Sequence, residues 1–329
     1  MNKRIRKGDT VYVCAPSNSM SDISDEMIKI GVERFNTLGY NVKIGKNANK
    51  EGVMGIASLE DRLEDFEAAF NDERISLIMP IFGGYNSNEL LKHLDYGKIN
   101  RSGKTIIGYS DITALLNAIN MKTGNKMLHG ISFSSFCDPN IFDEVVNIFL
   151  KIIEGEKNII LESPEYCAED LWFLKKKYGP REKYKNTGWR IVKEGEAEGE
   201  LVGGNIDTLL TLLGTEFFPN MDNKILLIEA EFNQNPKKFM QMLTQLMQMG
   251  CLSIIKGLVV GAFSRTNLLY EPNVLDEMLI RYTKGYNYPI ISNTHFSHID
   301  PIYTIPIGGR VHIDCIEKPS ICIKDSLYD

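Results

Sequence analysis

A serine at a predicted strand-to-helix turn is the residue of this sequence best placed to act as a nucleophile. Ser110 lies between an apolar run that predicts a strand and a run that predicts a helix. Backbone N–H groups and the helix dipole at such a turn favour an oxyanion. The segment resembles the nucleophile elbow Gly-x-Ser-x-Gly, although Ile112 stands where the second glycine would be. The same pattern fits an ordinary helix cap made by Ser110 or Asp111, which is the commoner role of a serine there.

A serine nucleophile needs a general base, and five histidines are available. His93 falls in a predicted helix and His312 in a predicted strand, where a solvated or packed imidazole is the simpler interpretation. His129 lies beyond the helix that follows the serine and could line a site. His295 and His298 share an irregular loop, and loops commonly present catalytic histidines. By chemistry alone these two are equally good candidates.

A carboxylate that could orient such a base follows a predicted buried strand. The apolar run 225–228 leads into Glu229 and Glu231, although acidic strand ends are ordinarily solvated. Both carboxylates point to the same face of an extended chain, so the alternation of side chains does not separate them.

Glycines follow two further apolar segments. Gly83 and Gly84 end the run 75–82, where they could form a simple turn or let backbone N–H groups approach a substrate. Together with the N–H of Asp111 they could form an oxyanion hole. The segment 203–205 opens another predicted helix and has the same two interpretations.

The elements that would position these residues alternate between strand and helix over residues 1–155. Repeated β-α units build a doubly wound parallel sheet, so we expect an α/β fold. Ligands bind such sheets at the carboxyl ends of the strands, where Gly83, Gly84 and Ser110 all fall. The predicted strands are 10–15, 41–44, 75–82 and 104–109, and the predicted helices begin at Ser24 and after Ser58 and cover 88–94 and 112–119.

The character of the sequence changes after Gly155. Residues 162–200 are polar and predict a long loop. We therefore expect an N-terminal α/β domain over 1–155, a linker and substrate loop over 156–200, and a smaller C-terminal α/β domain, rich in β-structure, over 201–329. The predicted elements of the last part are helices 205–213 and 236–249, strands 224–228 and 257–262, and a β-rich tail.

Composition argues against several classes of function. The net charge is −6 and no block of basic residues occurs, so we expect no nucleic-acid partner. No stretch approaches the ~18 apolar residues of a membrane span, and the basic N-terminus lacks a signal peptide's apolar core, so we expect a cytoplasmic protein without a membrane partner. The cysteines are scattered, and the sequence contains neither His-Glu-x-x-His nor a glycine-rich nucleotide motif. We therefore expect no metal site, no disulfide framework and no cofactor.

The order and spacing of several short segments resemble the LD-carboxypeptidase family of serine peptidases. That resemblance implies a triad of Ser110, Glu229 and His298, and an oxyanion hole made by the backbone N–H groups of Gly84 and Asp111. It also implies a two-domain fold with the site between the domains, often within a homodimer, and no cofactor. The segments that match are 15–17, 83–85, 94–96, 108–115, 129–130, 203–205, 227–229, 298–301 and 305–308. The sequence departs from the family at Ser297, where a glycine commonly precedes the histidine.

Two features resemble the MccF-like members of this family: the segment 85–91 after the paired glycines and a long polar insertion. In those members an aromatic residue of the insertion stacks on a nucleotide base, and Trp172 is our candidate here, whereas Trp189 is interpreted as a packing residue. The resemblance implies further substrate contacts at Gly83, Tyr85 and Asn205.

The resemblance also implies the reaction, which is hydrolysis of an amide-type bond near the C-terminus of a substrate. An MccF-like enzyme would cleave a peptidyl- or aminoacyl-nucleotide, as in self-immunity to the antibiotic microcin C. One alternative is a muramoyl-tetrapeptide LD-carboxypeptidase of cell-wall recycling. A second is a non-catalytic protein that binds nucleotides or peptides.

Overall fold

The structure, a computed structural model, describes residues 1–172 and 179–329. Two large β-sheets, a small two-stranded sheet and the helices packed against them form the described part of the molecule, which confirms the expected α/β class. Residues 173–178, which belong to the predicted substrate loop, lie outside the described residues. Within the described ranges, no helix has both the length and the apolar character that a membrane crossing requires.

The first part of the chain alternates between strands and helices. Its strands are β1 Thr10–Cys14, β2 Asn41–Ile44, β3 Ile75–Pro80, β4 Thr105–Gly108 and β5 Met127–His129. Its helices are α1 Asp25–Thr37, α2 Leu59–Asn71, α3 Tyr96–Ser102, α4 Thr113–Thr123, α5 Phe133–Phe136 and α6 Asp143–Glu154.

The remainder is richer in strands. These are β6 Ile159–Leu161, β7 Tyr166–Cys167, β8 Tyr184–Lys185, β9 Arg190–Lys193, β10 Gly195–Asn205, β11 Ile225–Glu229, β12 Gly257–Gly261, β13 Ile290–Thr294, β14 Ile305–Ile307, β15 Arg310–Cys315 and β16 Ser320–Ile323. The helices are α7 Ile206–Thr211, α8 Pro236–Gln248, α9 Cys251–Ile254 and α10 Pro272–Tyr282.

Serine caps stand at the start of two of the helices that the sequence predicted in the first part. The Ser24 hydroxyl oxygen accepts the backbone N–H of Met27 at the start of α1, and Ser58 accepts that of Asp61 at the start of α2. Each cap satisfies an N–H group that has no partner within its helix. The apolar stripe of α2 then lies buried in the core, with Phe66 on it. These two helices are therefore confirmed with their caps.

The first sheet has the order β14-β5-β4-β3-β1-β2, and β1 to β5 are parallel. The chain reverses its winding direction between β1 and β3, and the crevice outside such a reversal is where ligands bind. The loops that follow β1, β3 and β4 meet at this crevice. Strand β14 completes the sheet antiparallel to β5, although it comes from the end of the chain.

The second sheet has the order β6-β16-β15-β10-β11-β12-β13-β9, and its centre, β10 to β13, is parallel. The carboxyl ends of these central strands carry Asn205, Glu229 and the chain that leads into the loop of His298. That edge faces the crevice of the first sheet, because Ser110 and His298 line one cavity. The division into domains 1–155 and 201–329 with an intervening segment 156–200 remains a proposal.

The prediction of a long loop over 162–200 is wrong for the last residues of that range. Residues 190–193 form β9, and 195–200 form the first half of β10, which pairs antiparallel with β15. Glu196, Glu198 and Glu200 are exposed, whereas the residues between them face inward. A strand that alternates in this way has one solvated face, and its polar composition resembles that of a loop.

Two other predictions differ from the structure. The helix predicted over 88–94 is only a short 3-10 turn, Ser87–Leu90, and a separate helix, α3, begins after its cap Asp95. The side chain of Arg62 binds the carbonyl of Asn86 and the carboxylate of Glu89, so tertiary contacts hold this segment in its turn. Helices α6 and α10 have no counterpart among the predicted elements.

Candidate active site

Ser110 stands in a sharp turn between β4 and α4. Its φ is +59°, a conformation that is uncommon for residues other than glycine and that occurs at strained functional turns. Gly108 makes the turn possible, because a Cβ at that position would lie 2.9 Å from a methyl carbon of Ile112. Ile112 thus packs where the elbow pattern has its second glycine. The geometry is that of a nucleophile elbow with a different packing residue.

A buried carboxylate holds the imidazole of His298. Glu229 ends β11, is completely buried, and its Oε2 lies 2.9 Å from Nδ1 of His298. Because a carboxylate only accepts, Nδ1–H is the donor and Nε2 is left to take a proton. Gly261 on the neighbouring strand makes room, since a Cβ there would lie 2.7 Å from Cβ of Glu229 and 2.8 Å from Cβ of Ser297. A buried Ser297 therefore fits at the position where the family commonly has glycine.

His295 is locked into the core and is a poor candidate for the base. Its Nδ1 accepts the indole N–H of Trp189 at 3.0 Å, and its Nε2 lies 2.9 Å from the sulfur of Cys167. Since an indole only donates, the ring is neutral with its proton on Nε2. Burial also lowers the pKa of His295 to about 3. The structure thus separates the two histidines, and Trp189 is the buried packing residue that the sequence predicted.

The other candidates have different places. Glu231 is exposed at the cleft that His298 lines, two residues beyond the buried Glu229. His129 is buried, and its Nε2–H donates to the carbonyl of Phe296 at 3.2 Å. Burial lowers the pKa of His129, so this ring stays neutral while it supports the loop of His298.

The first of the two glycines after β3, Gly83, lies directly against the serine. A Cβ on Gly83 would be 2.8 Å from Cβ of Ser110 and 3.4 Å from the backbone nitrogen of Asp111. Gly84 has φ of +137°, which side-chain-bearing residues rarely adopt. Asp111 is the second residue of the 3-10 turn Ser110–Ile112, and the first N–H groups of such a turn have no acceptor inside it. The backbone therefore approaches Ser110 from the side expected of an oxyanion hole.

The Asp111 side chain ties together three loops. Its carboxylate accepts the Ser17 hydroxyl after β1 and the Ser87 backbone N–H, 2.8 Å away, after β3. The Ser87 hydroxyl donates in turn to the backbone carbonyl of Asp111 at 2.7 Å. All three residues are buried. The loops that surround Ser110 are thus held in a fixed relation.

Arg62 is a positioning residue that sequence reasoning missed. It is buried, donates to the carbonyls of Pro16 and Asn86 at 3.1 Å each, and pairs with Glu89. It therefore joins the loops after β1 and β3. A signal was available, because Arg62 stands one turn from Leu59 on the apolar face of α2, where a charged residue needs a buried partner.

Arg181 is a second residue of this kind. The buried guanidinium binds the carboxylates of Asp138, Asp170 and Asp300 at 2.7, 2.9 and 2.7 Å. These three carboxylates come from the segment before α6, the segment after β7 and the loop of His298. Removing a buried cation leaves unpaired charges, a loss of about 3–5 kcal/mol in typical cases. One arginine thus joins three walls of the cleft, and no local pattern in the sequence shows it.

The cleft between the two sheets has a volume of about 430 Å³. Six of the predicted site residues line it, namely Gly83, Gly84, Tyr85, Ser110, Trp172 and His298. Asn205 is not among its described lining residues. Its Oδ1 accepts the backbone N–H of Thr208 at the start of α7 and its backbone pairs with Glu229, so it supports the site from behind. A substrate contact of Asn205 stays a prediction.

The charge state of His298 gives a pH dependence that can be measured. Burial opposes a charge on the imidazole, but the charge of Glu229 and its hydrogen bond together outweigh burial and raise the pKa of His298 above 6.5. Only a neutral imidazole can act as a general base. We expect kcat/KM to fall as the pH drops through a midpoint above about 6.5, the ordinary histidine value. A pH profile with its acidic midpoint well below that value would contradict this assignment.

The chain is similar to known protein families, proteins and solved structures over most of its length. The LD-carboxypeptidase N-terminal domain matches residues 11–130, and the LD-carboxypeptidase C-terminal domain matches residues 198–313. The putative carboxypeptidase YocD of Bacillus subtilis is 36% identical over 320 residues, which cover 96% of this chain and 97% of that protein. A crystal structure of an MccF-like protein from Bacillus anthracis has a TM-score of 0.93 and 36% identity, covering 98% and 99% of the two chains.

The microcin C7 self-immunity protein MccF of Escherichia coli is a more distant relative, 28% identical over 94% of this chain and 92% of its own length. A structure of MccF in complex with aspartyl sulfamoyl adenosine has a TM-score of 0.89 and 28% identity, and covers 99% of this chain and 98% of that one.

Proposed function

The chain belongs to the LD-carboxypeptidase family and is a hydrolase of the serine carboxypeptidase type, and we propose that Ser110, His298 and Glu229 form its triad. The observation that carries this proposal is that His298, which lines the same cleft as Ser110, donates a hydrogen bond to the buried Glu229 behind it. Three different segments bring a serine, a base and an orienting carboxylate to one site, and this arrangement is the one that a serine nucleophile requires.

The proposed reaction follows from the atoms that each residue presents. The hydroxyl oxygen of Ser110 attacks the carbonyl carbon while Nε2 of His298 takes its proton, and the N–H groups of Gly84 and Asp111 bind the oxyanion. The imidazolium then returns the proton to the leaving nitrogen. Water, activated by the same imidazole, hydrolyses the acyl-enzyme. The ring of Tyr109 lies edge-on to His298 at 5.0 Å between centroids and supports its orientation.

The proposed substrates are peptidyl- or aminoacyl-nucleotides. MccF, of nearly the same fold, has been crystallised with an aminoacyl sulfamoyl nucleoside. Two aromatic residues of this chain, Tyr85 and Trp172, line the cleft as a surface on which a base could stack. Cytoplasmic location, a homodimer and a role in resistance to microcin-type antibiotics belong to the same proposal.

We expect Trp172→Ala to raise KM for an adenosine conjugate about 5- to 150-fold, because stacking on an aromatic ring contributes about 1–3 kcal/mol per base. The kcat value should change little, since the triad is untouched. Steady-state kinetics with the adenosine conjugate, and with an analogue that lacks the base, measure this effect. Trp172→Phe is the matched control and should retain most of the affinity. An equal loss on both substrates would remove the base-stacking role.

A direct comparison of substrates decides between the proposed function and its alternatives. Purified enzyme would be assayed with an aminoacyl sulfamoyl adenosine and with a muramoyl tetrapeptide, each beside Ser110→Ala as the background. We expect the nucleotide conjugate to be cleaved with the higher kcat/KM. Preference for the tetrapeptide would make this a cell-wall enzyme, and binding of either compound without serine-dependent cleavage would support a non-catalytic protein.

A further inference from the structure

Part of the lining of the cleft is a buried apolar floor. We use this term for Met27, Ile131, Val145 and Ile302, which all line the cavity and are each at most 5% exposed. Other residues of the same lining are much more exposed, with Tyr85 at 70% and Leu171 at 41%. Ser110 and His298 lie between these extremes. The gradient of exposure shows that the floor is the deep end of the cleft.

The residues of the apolar floor have no part in the proposed catalytic mechanism. Met27 belongs to α1, Val145 to α6, Ile131 follows β5, and Ile302 lies beyond the loop of His298. Four separate segments thus place apolar side chains around one space beside the nucleophile. A cavity lined in this way favours an apolar ligand group, because water gains few hydrogen bonds there.

The charges of the cleft add a second constraint. Among the described lining residues there are carboxylates but neither lysine nor arginine; the carboxylates are those of Asp22, Asp138, Glu169, Asp170, Glu231 and Asp300. The nearby cations Arg181 and Arg265 are already engaged with four of them. An acidic substrate group placed at the floor would be desolvated beside like charges, which is unfavourable.

We propose that the apolar floor is the specificity pocket for the side chain of the residue that acylates Ser110. It accepts an apolar side chain and discriminates against an acidic one. This inference rests on the proposed function and deepens it, since it names the aminoacyl group of the conjugate. The substrate class is then an apolar aminoacyl or peptidyl conjugate.

The test uses alanyl, leucyl and aspartyl sulfamoyl adenosine with the full-length enzyme. We expect kcat/KM for the leucyl conjugate to exceed that for the alanyl conjugate about 10- to 100-fold, as the extra buried carbons require. The aspartyl conjugate should be no better than the alanyl one. Equal rates for all three, or a preference for the aspartyl conjugate, would overturn the inference.

A pocket-filling variant makes the test independent of general damage. Val145→Phe should abolish the preference for leucyl over alanyl while the alanyl conjugate is still cleaved. Val146→Phe adds the same bulk to the next residue of α6, which is not among the described lining residues, and should leave the preference intact. Loss of the preference in both variants, or in neither, would contradict the assignment of the floor.

Binding separates this inference from the proposed function. Calorimetric titration of Ser110→Ala with the three conjugates should give the same ranking, leucyl before alanyl before aspartyl. If wild type cleaves none of the conjugates but this ranking appears, the proposed reaction fails and the pocket stands. If the three bind equally or not at all, the pocket fails, whatever the enzyme cleaves.

Discussion

Replacing Ser110 with alanine is expected to lower kcat about 10⁴- to 10⁶-fold, as removal of a serine nucleophile does in other triad enzymes. The value of KM should change little, because the methyl group leaves the backbone N–H groups of Gly84 and Asp111 in place. Without the hydroxyl, no acyl-enzyme can form. Single-turnover and steady-state kinetics on the preferred conjugate measure the loss, and titration of the same variant shows that the substrate still binds.

The matched control for Ser110 is another serine of the cleft. Ser134 lines the same cavity, and its hydroxyl shares a hydrogen bond with that of Ser132 at 2.8 Å. We expect Ser134→Ala to retain kcat within a few-fold, because its hydroxyl is engaged with Ser132 and has no role in the proposed reaction. If Ser110→Ala turned over substrate like wild type, the nucleophile would lie elsewhere and the whole mechanism would fall.

Glu229→Gln should lower kcat about 10⁴-fold, the cost seen when the acid of a triad becomes an amide. The two side chains have nearly the same shape, so the change tests charge and hydrogen bonding. An amide can present its NH₂ group to Nδ1 of His298, which forces the proton onto Nε2, where it cannot accept one from Ser110. Steady-state kinetics measure the fall. The acidic midpoint of the pH profile should also move down, because the carboxylate that raises the pKa of His298 is gone.

Glu231→Gln is the control for this change. Its carboxylate is two residues farther along the chain and is exposed at the cleft, so its loss should alter kcat only a few-fold. If Glu231→Gln were inactive and Glu229→Gln active, the exposed Glu231 would be the carboxylate of the triad. Circular dichroism and thermal unfolding of both variants would show that each effect belongs to the site, since Glu229 is buried and Glu231 is not.

Local sequence patterns predicted much of the first part of the fold. Strand β2 has the predicted bounds, the helix after Ser58 begins with the predicted cap, and β3 is buried on both faces as its apolar run requires. These features depend on neighbours within a few residues, and backbone hydrogen bonding and capping follow from them. The same reasoning failed for Glu196–Glu200, because an alternating strand and a polar loop have similar composition.

The candidate site was less accessible to local patterns. Chemistry alone left His295 beside His298 and Glu231 beside Glu229, and only the family resemblance preferred one of each. In the structure, Trp189 and Cys167 engage His295 from distant positions, and β12 covers Glu229 but not Glu231. Burial of this kind depends on residues far apart in the sequence. The roles of Arg62 and Arg181 have the same origin.

Ser110 shows both contributions in one residue. Its place at the turn from an apolar strand into a helix is visible in the sequence, because strand and helix patterns are properties of adjacent residues. The surroundings of that serine depend on tertiary packing: Gly83 of another loop lies against its Cβ, and His298, which is bonded to the buried Glu229, lines the same cleft. Glu229 and His298 are each more than a hundred residues from Ser110 in the sequence, and packing of the two sheets, not local preference, brings these segments together.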